Sequence, residues 1–305
     1  MKWTRMSAQE RYTALAQQEL VTVGSGAGSG KGIIASIREI TQQREMLSLL
    51  IRRDLKSRYK DSALGFVWTL VRPITQLVIY YVVIGKFLRA ADGIPDFAIY
   101  VFTGLTAFGL FSEIIASSTS SIVGNAGLIK KVYLPREIFP LASVGSALFN
   151  FVIQLGILLV ATIALGAFPI SPGIVYFIPS LAVLLVFATA LGILLSAVNV
   201  YLRDVQYLVE VALLLMMWAS PIVYAWGMVK NALGPGLLLE IYTNNPVTLA
   251  VLGFQRAFWV SGHGEVPYPE FLMLRLGIAF VIGIVLIAVF HRVFARLQGN
   301  FAQVL

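Results

Sequence analysis

Residues 138–202 contain no Asp, Glu, Lys or Arg. The run before them, 97–129, contains one charge, Glu113. Between the two lies a short basic loop with Lys130, Lys131 and Arg136. A soluble domain has no use for such long uncharged stretches, whereas a membrane-spanning helix needs about 20 apolar residues. Basic loops between spans stay on the cytoplasmic side. The defined sequence of this one suggests that something in the cytoplasm docks on it.

Composition agrees. Mean hydropathy is +0.82 and charged residues make up 12% of the chain, about half the share usual in soluble domains. The 305 residues fit one all-α integral membrane domain of about six helices. With no cysteine, disulfides, thiol chemistry and cysteine-based metal sites are excluded. A net charge of +8 would suggest nucleic acid in a soluble protein. Here it fits cytoplasmic flanks and anionic lipid headgroups. The predicted spans are 66–88, 97–119, 138–167, 174–198, 206–228 and 272–294.

The N-terminus has no apolar run that would read as a cleavable signal. Residues 1–32 predict a disordered, uncleaved cytoplasmic segment. Within them, VGSGAGSGKG at 23–32 superficially resembles a phosphate loop. It puts Ser25 where the first glycine belongs and Gly32 where the hydroxyl belongs. A flexible linker is the better reading.

Residues 33–62 predict an amphipathic helix. Leu47, Leu50, Ile51 and Leu55 span one side, and Arg52, Arg53, Lys56 and Lys60 the other. Such a helix lies in the membrane interface with its cations toward headgroups. Asp54 and Arg58 stand i,i+4 amid the apolar face, where a protein contact suits them. A plain surface anchor is the other reading of the segment.

With the N-terminus inside, 17 Lys and Arg residues fall on the cytoplasmic side and five outside, which places both termini in the cytoplasm. The one long outer connection, 230–270, predicts two half-membrane helices, around 237–242 and 247–259, that dip back into the outer leaflet. The alternative is an interfacial helix held by Phe254, Phe258 and Trp259 in the aromatic belt. Arg72, Glu113 and Glu210 are read as ionisable groups inside the membrane, and such groups face protein or water. An Arg72–Glu210 pair at the inner mouth is one expectation. No chain of acids or histidines leads to Glu113, and the two histidines, His263 and His291, are too far apart in sequence for a metal site.

Several motifs then coincide in order. Arg58-Tyr59-Lys60-Asp61-Ser62-Ala63-Leu64-Gly65-Phe66-Val67-Trp68, followed by Arg72-Pro73, enters the first span. Asn125-Ala126-Gly127-Leu128-Ile129-Lys130-Lys131-Val132 and Leu134-Pro135-Arg136 fill the basic loop. Tyr201-Leu202-Arg203-Asp204-Val205 follows the fourth span, and Asn245-Pro246 begins the last outer helix. Over about residues 45–300 this resembles the ABC-2 type permeases that export polysaccharides: O-antigen, teichoic acid, group 2 capsule and mycobacterial galactan.

The resemblance implies a homodimer with two copies of a separate ABC ATPase in the bacterial plasma membrane. The chain itself is a transport subunit without a catalytic or cofactor site, and ATP and Mg2+ belong to the ATPase. By similarity, residues 63–298 form the transmembrane domain and 299–305 a cytoplasmic tail. Asn125, Leu128, Ile129, Lys130, Lys131, Val132, Pro135 and Arg136 form the coupling helix seated in the ATPase, with Arg203 and Asp204 as a second contact. A basic loop that only fixes topology, and a helix-end ion pair at Arg203–Asp204, are the simpler readings.

The implied cargo is a polysaccharide on a polyprenyl pyrophosphate. Arg52, Arg53, Lys56, Arg58, Tyr59 and Lys60 would meet its charged head. Trp68, Tyr80, Tyr81, Tyr207, Trp218 and Tyr224 would line a path for its sugars, though belt and packing roles also suit them. A small lipophilic drug or lipid is the alternative cargo. An ion-driven transporter would show internal repeats and several buried charges, which are absent from the sequence. A membrane-embedded glycosyltransferase would need more acids and arginines than the outer loop holds.

Overall fold

Without water, backbone groups in a bilayer must pair with each other, so long apolar runs become helices. The computed structural model describes residues 33–59, 67–87, 89, 93–132, 134–262, 264 and 266–305, and every regular element among them is helical. The predicted disordered segment, residues 1–32, and Lys60 lie outside the described residues. So do the side chains of Arg58, Tyr59, Trp68 and Arg72.

In chain order the elements are α1 (Ile33–Gln42), α2 (Arg44–Tyr59), α3 (Val67–Ile79), α4 (Phe97–Gly124), α5 (Ala126–Ile129), α6 (Ile138–Ala164), α7 (Phe177–Tyr201), α8 (Val205–Trp218), α9 (Trp226–Leu233), α10 (Leu237–Thr243), α11 (Pro246–Phe258), α12 (Leu272–Leu297) and α13 (Phe301–Val304). A π-helical stretch, Tyr80–Phe87, continues α3, and a 3-10 turn, Pro172–Tyr176, leads into α7. Four segments are long and apolar enough to cross a membrane: Phe97–Gly124, Ile138–Ala164, Pro172–Tyr201 and Leu272–Asn300.

The first and fifth predicted spans are shorter apolar helices, Pro73–Phe87 and Val205–Trp218. The fifth was expected to run to 228 and stops ten residues earlier. Pro221 explains the stop. It has no N–H to give and its ring clashes with a helical turn before it. The run Ile222-Val223-Tyr224-Ala225-Trp226 stays apolar beyond the break, so hydropathy alone extends the helix too far.

The break frees carbonyls inside the bundle, and side chains from other helices take them. The Tyr100 hydroxyl on α4 lies 2.9 Å from the Pro221 oxygen and 2.8 Å from that of Tyr224. Gln255 Nε2 on α11 donates to the Pro221 oxygen at 2.8 Å. A broken helix is tolerated in apolar surroundings when partners are supplied in this way.

α4 is the centre of the bundle and packs against α6, α7 and α11, while α7 also carries α12. Small residues let these helices approach. A Cβ on Gly192 of α7 would lie 2.8 Å from the Ser118 Cβ of α4, and one on Gly283 of α12 would collide with Val186. α10 and α11 match the two predicted half-helices in position. Phe254, Phe258 and Trp259 are buried, and Phe254 and Phe258 pack edge-on against Phe177. They do not face outward as an aromatic belt would. The mouth of α12 is tied to α10 by Arg275 Nη1, 2.6 Å from Glu240 Oε2. That hydrogen bond holds the exposed Glu240 carboxyl below the usual carboxylate range.

Candidate functional site at the basic end of the bundle

α2 packs against α6 and shares an apolar cluster with the basic loop. Leu50 is buried, while Met46, Leu47 and Ile51 are half-buried against the same apolar cluster. Arg52, Arg53 and Lys56 are exposed, so the described residues of α2 show an apolar and a basic side. Gly145 of α6 makes the fit possible, because a Cβ there would strike Ile51. Asp54 finds its partner next door: Arg53 donates to Asp54 Oδ1 from Nε at 3.1 Å and from Nη2 at 2.7 Å.

The basic loop is held from inside and charged outside. α5 opens it, and Asn125 Nδ2 donates to the Ser121 carbonyl at 2.7 Å, tying the loop to α4. Asn125 therefore acts as an anchor. Leu128 and Ile129 pack inward and Leu134 is buried, whereas Lys130, Lys131 and Val132 are exposed. Pro135 is half-buried. The apolar side joins one cluster that also includes Leu50 of α2, Ile122 of α4, Phe139 of α6, Val200 of α7 and Phe294 of α12. The loop therefore packs on one cluster with α2, α4, α6, α7 and α12.

Arg136 was expected to face a partner and instead turns inward. Its Nη1 donates to the Gln298 carbonyl, and its guanidinium lies 5.6 Å from the centre of the Phe301 ring. Phe301, on α13, is fully buried. It packs edge-on against Phe294 and Tyr201, and the Tyr201 hydroxyl donates to the Leu297 carbonyl at 2.6 Å. Beside it, His291 Nε2 of α12 lies 3.5 Å from Glu137 Oε1 at the start of α6, both buried. Residues 299–305, expected as a cytoplasmic tail, thus form a clasp over the end of the basic loop. One phenylalanine after Gly299-Asn300 was the only sequence sign of it.

The other expected residues fall in separate places. Arg203 and Asp204 are both exposed, and no ion pair joins them among the described residues. Glu113 on α4 accepts from Asn150 Nδ2 on α6 at 2.6 Å, so this mid-helix acid faces protein. Glu210 is exposed, and its expected pairing with Arg72 lies outside the described side chains. Tyr80 and Trp218 meet edge-on with ring centres 6.5 Å apart, and the Tyr80 hydroxyl lies 3.7 Å from Met217 Sδ. Those contacts bring the two short apolar helices together. Trp218 and Tyr81 are exposed, with Lys86 5.5 Å from the centre of the Tyr81 ring. Tyr207 is exposed, and Tyr224 lies in the break after α8, where its hydroxyl donates to the Trp218 carbonyl. Among the described residues no cluster of His, Asp and Glu could hold a metal ion.

Comparison with known proteins gives the family. Residues 45–259 match the family described as ABC-2 type transporter. The chain is 31% identical over 250 residues to the O-antigen export system permease protein RfbA of Myxococcus xanthus, covering 82% of this chain and 93% of that protein. It is 29% identical over 262 residues to the protein of the same name from Klebsiella pneumoniae, covering 86% and 95%. A shorter stretch of 86 residues is 27% identical to the polysialic acid transport protein KpsM of Escherichia coli, 28% of this chain and 33% of that protein. The chain is a multi-pass membrane protein that belongs to the ABC-2 type transporter family.

Proposed function

We propose that this chain is the transmembrane subunit of an ATP-driven exporter that carries a polyprenyl-pyrophosphate-linked polysaccharide out through the plasma membrane. The observation that carries the reading is the match to O-antigen export permeases over more than nine-tenths of their length. The pole at which α2 and the basic loop meet supports it, because a driving partner and a lipid-linked cargo both need a cytoplasmic face.

The transmembrane domain, residues 63–298, crosses six times, with α3 and α8 as the two short spans and α10 and α11 as re-entrant half-helices. Both termini are cytoplasmic. Two copies of the chain pair through the exposed apolar faces of α3 and α8 and enclose the channel. Tyr80, Tyr81, Trp218 and Trp68 line it, and Arg52, Arg53, Lys56, Arg58, Tyr59 and Lys60 receive the charged head. Two copies of a separate ABC ATPase bind ATP and Mg2+ and seat Leu128 to Val132, with Lys130 and Lys131 against an acidic surface and Arg203 and Asp204 nearby. Asn125, Pro135 and Arg136 fix the seat from within.

The test is copurification with the ATPase encoded beside this chain. The wild-type chain should form a stable complex whose ATP hydrolysis responds to the permease. Lys130→Glu/Lys131→Glu should weaken the complex or uncouple hydrolysis by tenfold or more, since like charges across an interface cost several kcal/mol. A wild-type chain that binds no ATPase would end this reading.

A further inference from the structure

A cavity of about 420 Å³ lies between α2 and the ends of α4 and α6, within the range of small-ligand sites, ~300–1,000 Å³. Most of its lining is hydroxyl or amide. Yet serines are small and adaptable, and their presence in helices alone marks no site. Ser146 supplies the independent sign. It lines the cavity, is 1% exposed, and its hydroxyl has no partner. An orphaned buried hydroxyl on a cavity wall wants a ligand atom or water.

The chemistry of the lining selects the ligand. Ser57 donates to the Asp54 carbonyl at 2.9 Å, Ser121 to the Ser118 carbonyl at 2.7 Å, and Ser120 to the Ala116 and Ser117 carbonyls at 3.4 and 3.3 Å. Their protons point into their own helices, so the cavity sees lone pairs. Asn125 gives one N–H to the Ser121 carbonyl and keeps its oxygen. Lone pairs repel a phosphate. Among the described lining residues the one cation, Arg53, is bonded to Asp54, so the described lining carries no net charge. What remains is a wall without net charge and rich in acceptors, which fits a ligand with many hydroxyl donors.

We propose that this cavity binds an uncharged sugar headgroup presented from the leaflet in which α2 lies. The sugar could belong to the transported lipid-linked glycan or to a resident glycolipid. The first source rests on the export reading; the binding chemistry does not.

The chain has no cysteine, so one reporter can be placed cleanly. Gly124 lines the rim, is exposed, and a Cβ there meets nothing within 4 Å. The full-length Gly124→Cys chain, labelled with bimane, is titrated in phosphatidylglycerol nanodiscs with three probes. These are monoglucosyl diacylglycerol, a polyprenyl-pyrophosphate-linked disaccharide, and phosphatidic acid. A saturable change with either sugar lipid and none with phosphatidic acid is expected, and Ser146→Ala should weaken it by about fivefold to tenfold. Since Ser146→Ala removes an orphaned hydroxyl, its thermal stability should match or exceed the parent, which separates lost binding from misfolding. Response to the polyprenyl lipid alone assigns the transported glycan. Response to glucosyl diacylglycerol, alone or with the other, assigns a resident glycolipid as an occupant. No saturable response to either, an equal response to phosphatidic acid, or one unchanged by Ser146→Ala overturns the proposal. No ATPase enters the assay, so failure of the export reading would leave its outcome intact.

Discussion

Single residues decide where this bundle is allowed to break. Pro221 ends α8 inside apolar surroundings, and the break survives because Tyr100 and Gln255 reach its carbonyls. Removing one donor leaves a buried oxygen short of a partner, a loss of about 1–3 kcal/mol. Tyr100→Phe should therefore lower the melting temperature of the purified protein clearly, and Tyr100→Phe/Gln255→Leu should lower it further. Tyr207→Phe, at an exposed hydroxyl with no partner to lose, should leave it unchanged. Equal melting of all three would mean that the break is not held by these bonds. None of this was legible in the sequence. Tyr100 and Gln255 are 155 positions apart, and nothing local links either to Pro221. The charges were legible. Lys130 and Lys131 stand out because their surroundings are uncharged, and they are exposed as a solvent-facing basic pair should be. Arg136 looked like a third member and is a brace, since its partner lies 162 residues away.

At the scale of elements, the basic loop, the tail and the ends of four long helices share one apolar cluster. Phe301 is its keystone, fully buried between Phe294, Tyr201 and Arg136. Truncating a buried Phe costs about 3–5 kcal/mol, and here the loss falls mostly on the clasp. Phe301→Ala should leave the bundle folded and loosen the loop. Limited trypsin digestion in detergent should then cut after Lys130 or Lys131 several-fold faster than in the parent, while cleavage after Arg52 and Arg53 stays unchanged. A uniform rise at all these sites would indicate general unfolding instead. Periodicity found α2, and apolar run length found α4, α6, α7 and α12, because each carries its own signal in a continuous run. It missed α13 because a four-residue helix has no periodicity, and its burial comes wholly from distant partners.

Across the whole molecule, one pole is basic and gathered and the other is closed by α9, α10, α11 and the mouth of α12. Hydropathy and charge bias made this polarity readable in advance, since both are sums over many residues and tolerate local error. The serine cavity was not readable. Ser57, Ser120, Ser143 and Ser146 sit on three helices, and only their packing brings them to one wall. On the function proposed above, force on Lys130 and Lys131 would enter the apolar cluster that α6, α7 and α12 share. The most direct test is transport itself. The chain and its ATPase are reconstituted in proteoliposomes with a fluorescent polyprenyl-pyrophosphate-linked glycan, and the glycan is scored by a glycosidase confined to the receiving side. The account predicts cleavage that requires ATP and falls at least tenfold with Lys130→Glu/Lys131→Glu. Cleavage independent of ATP, or driven instead by an ion gradient, would contradict it.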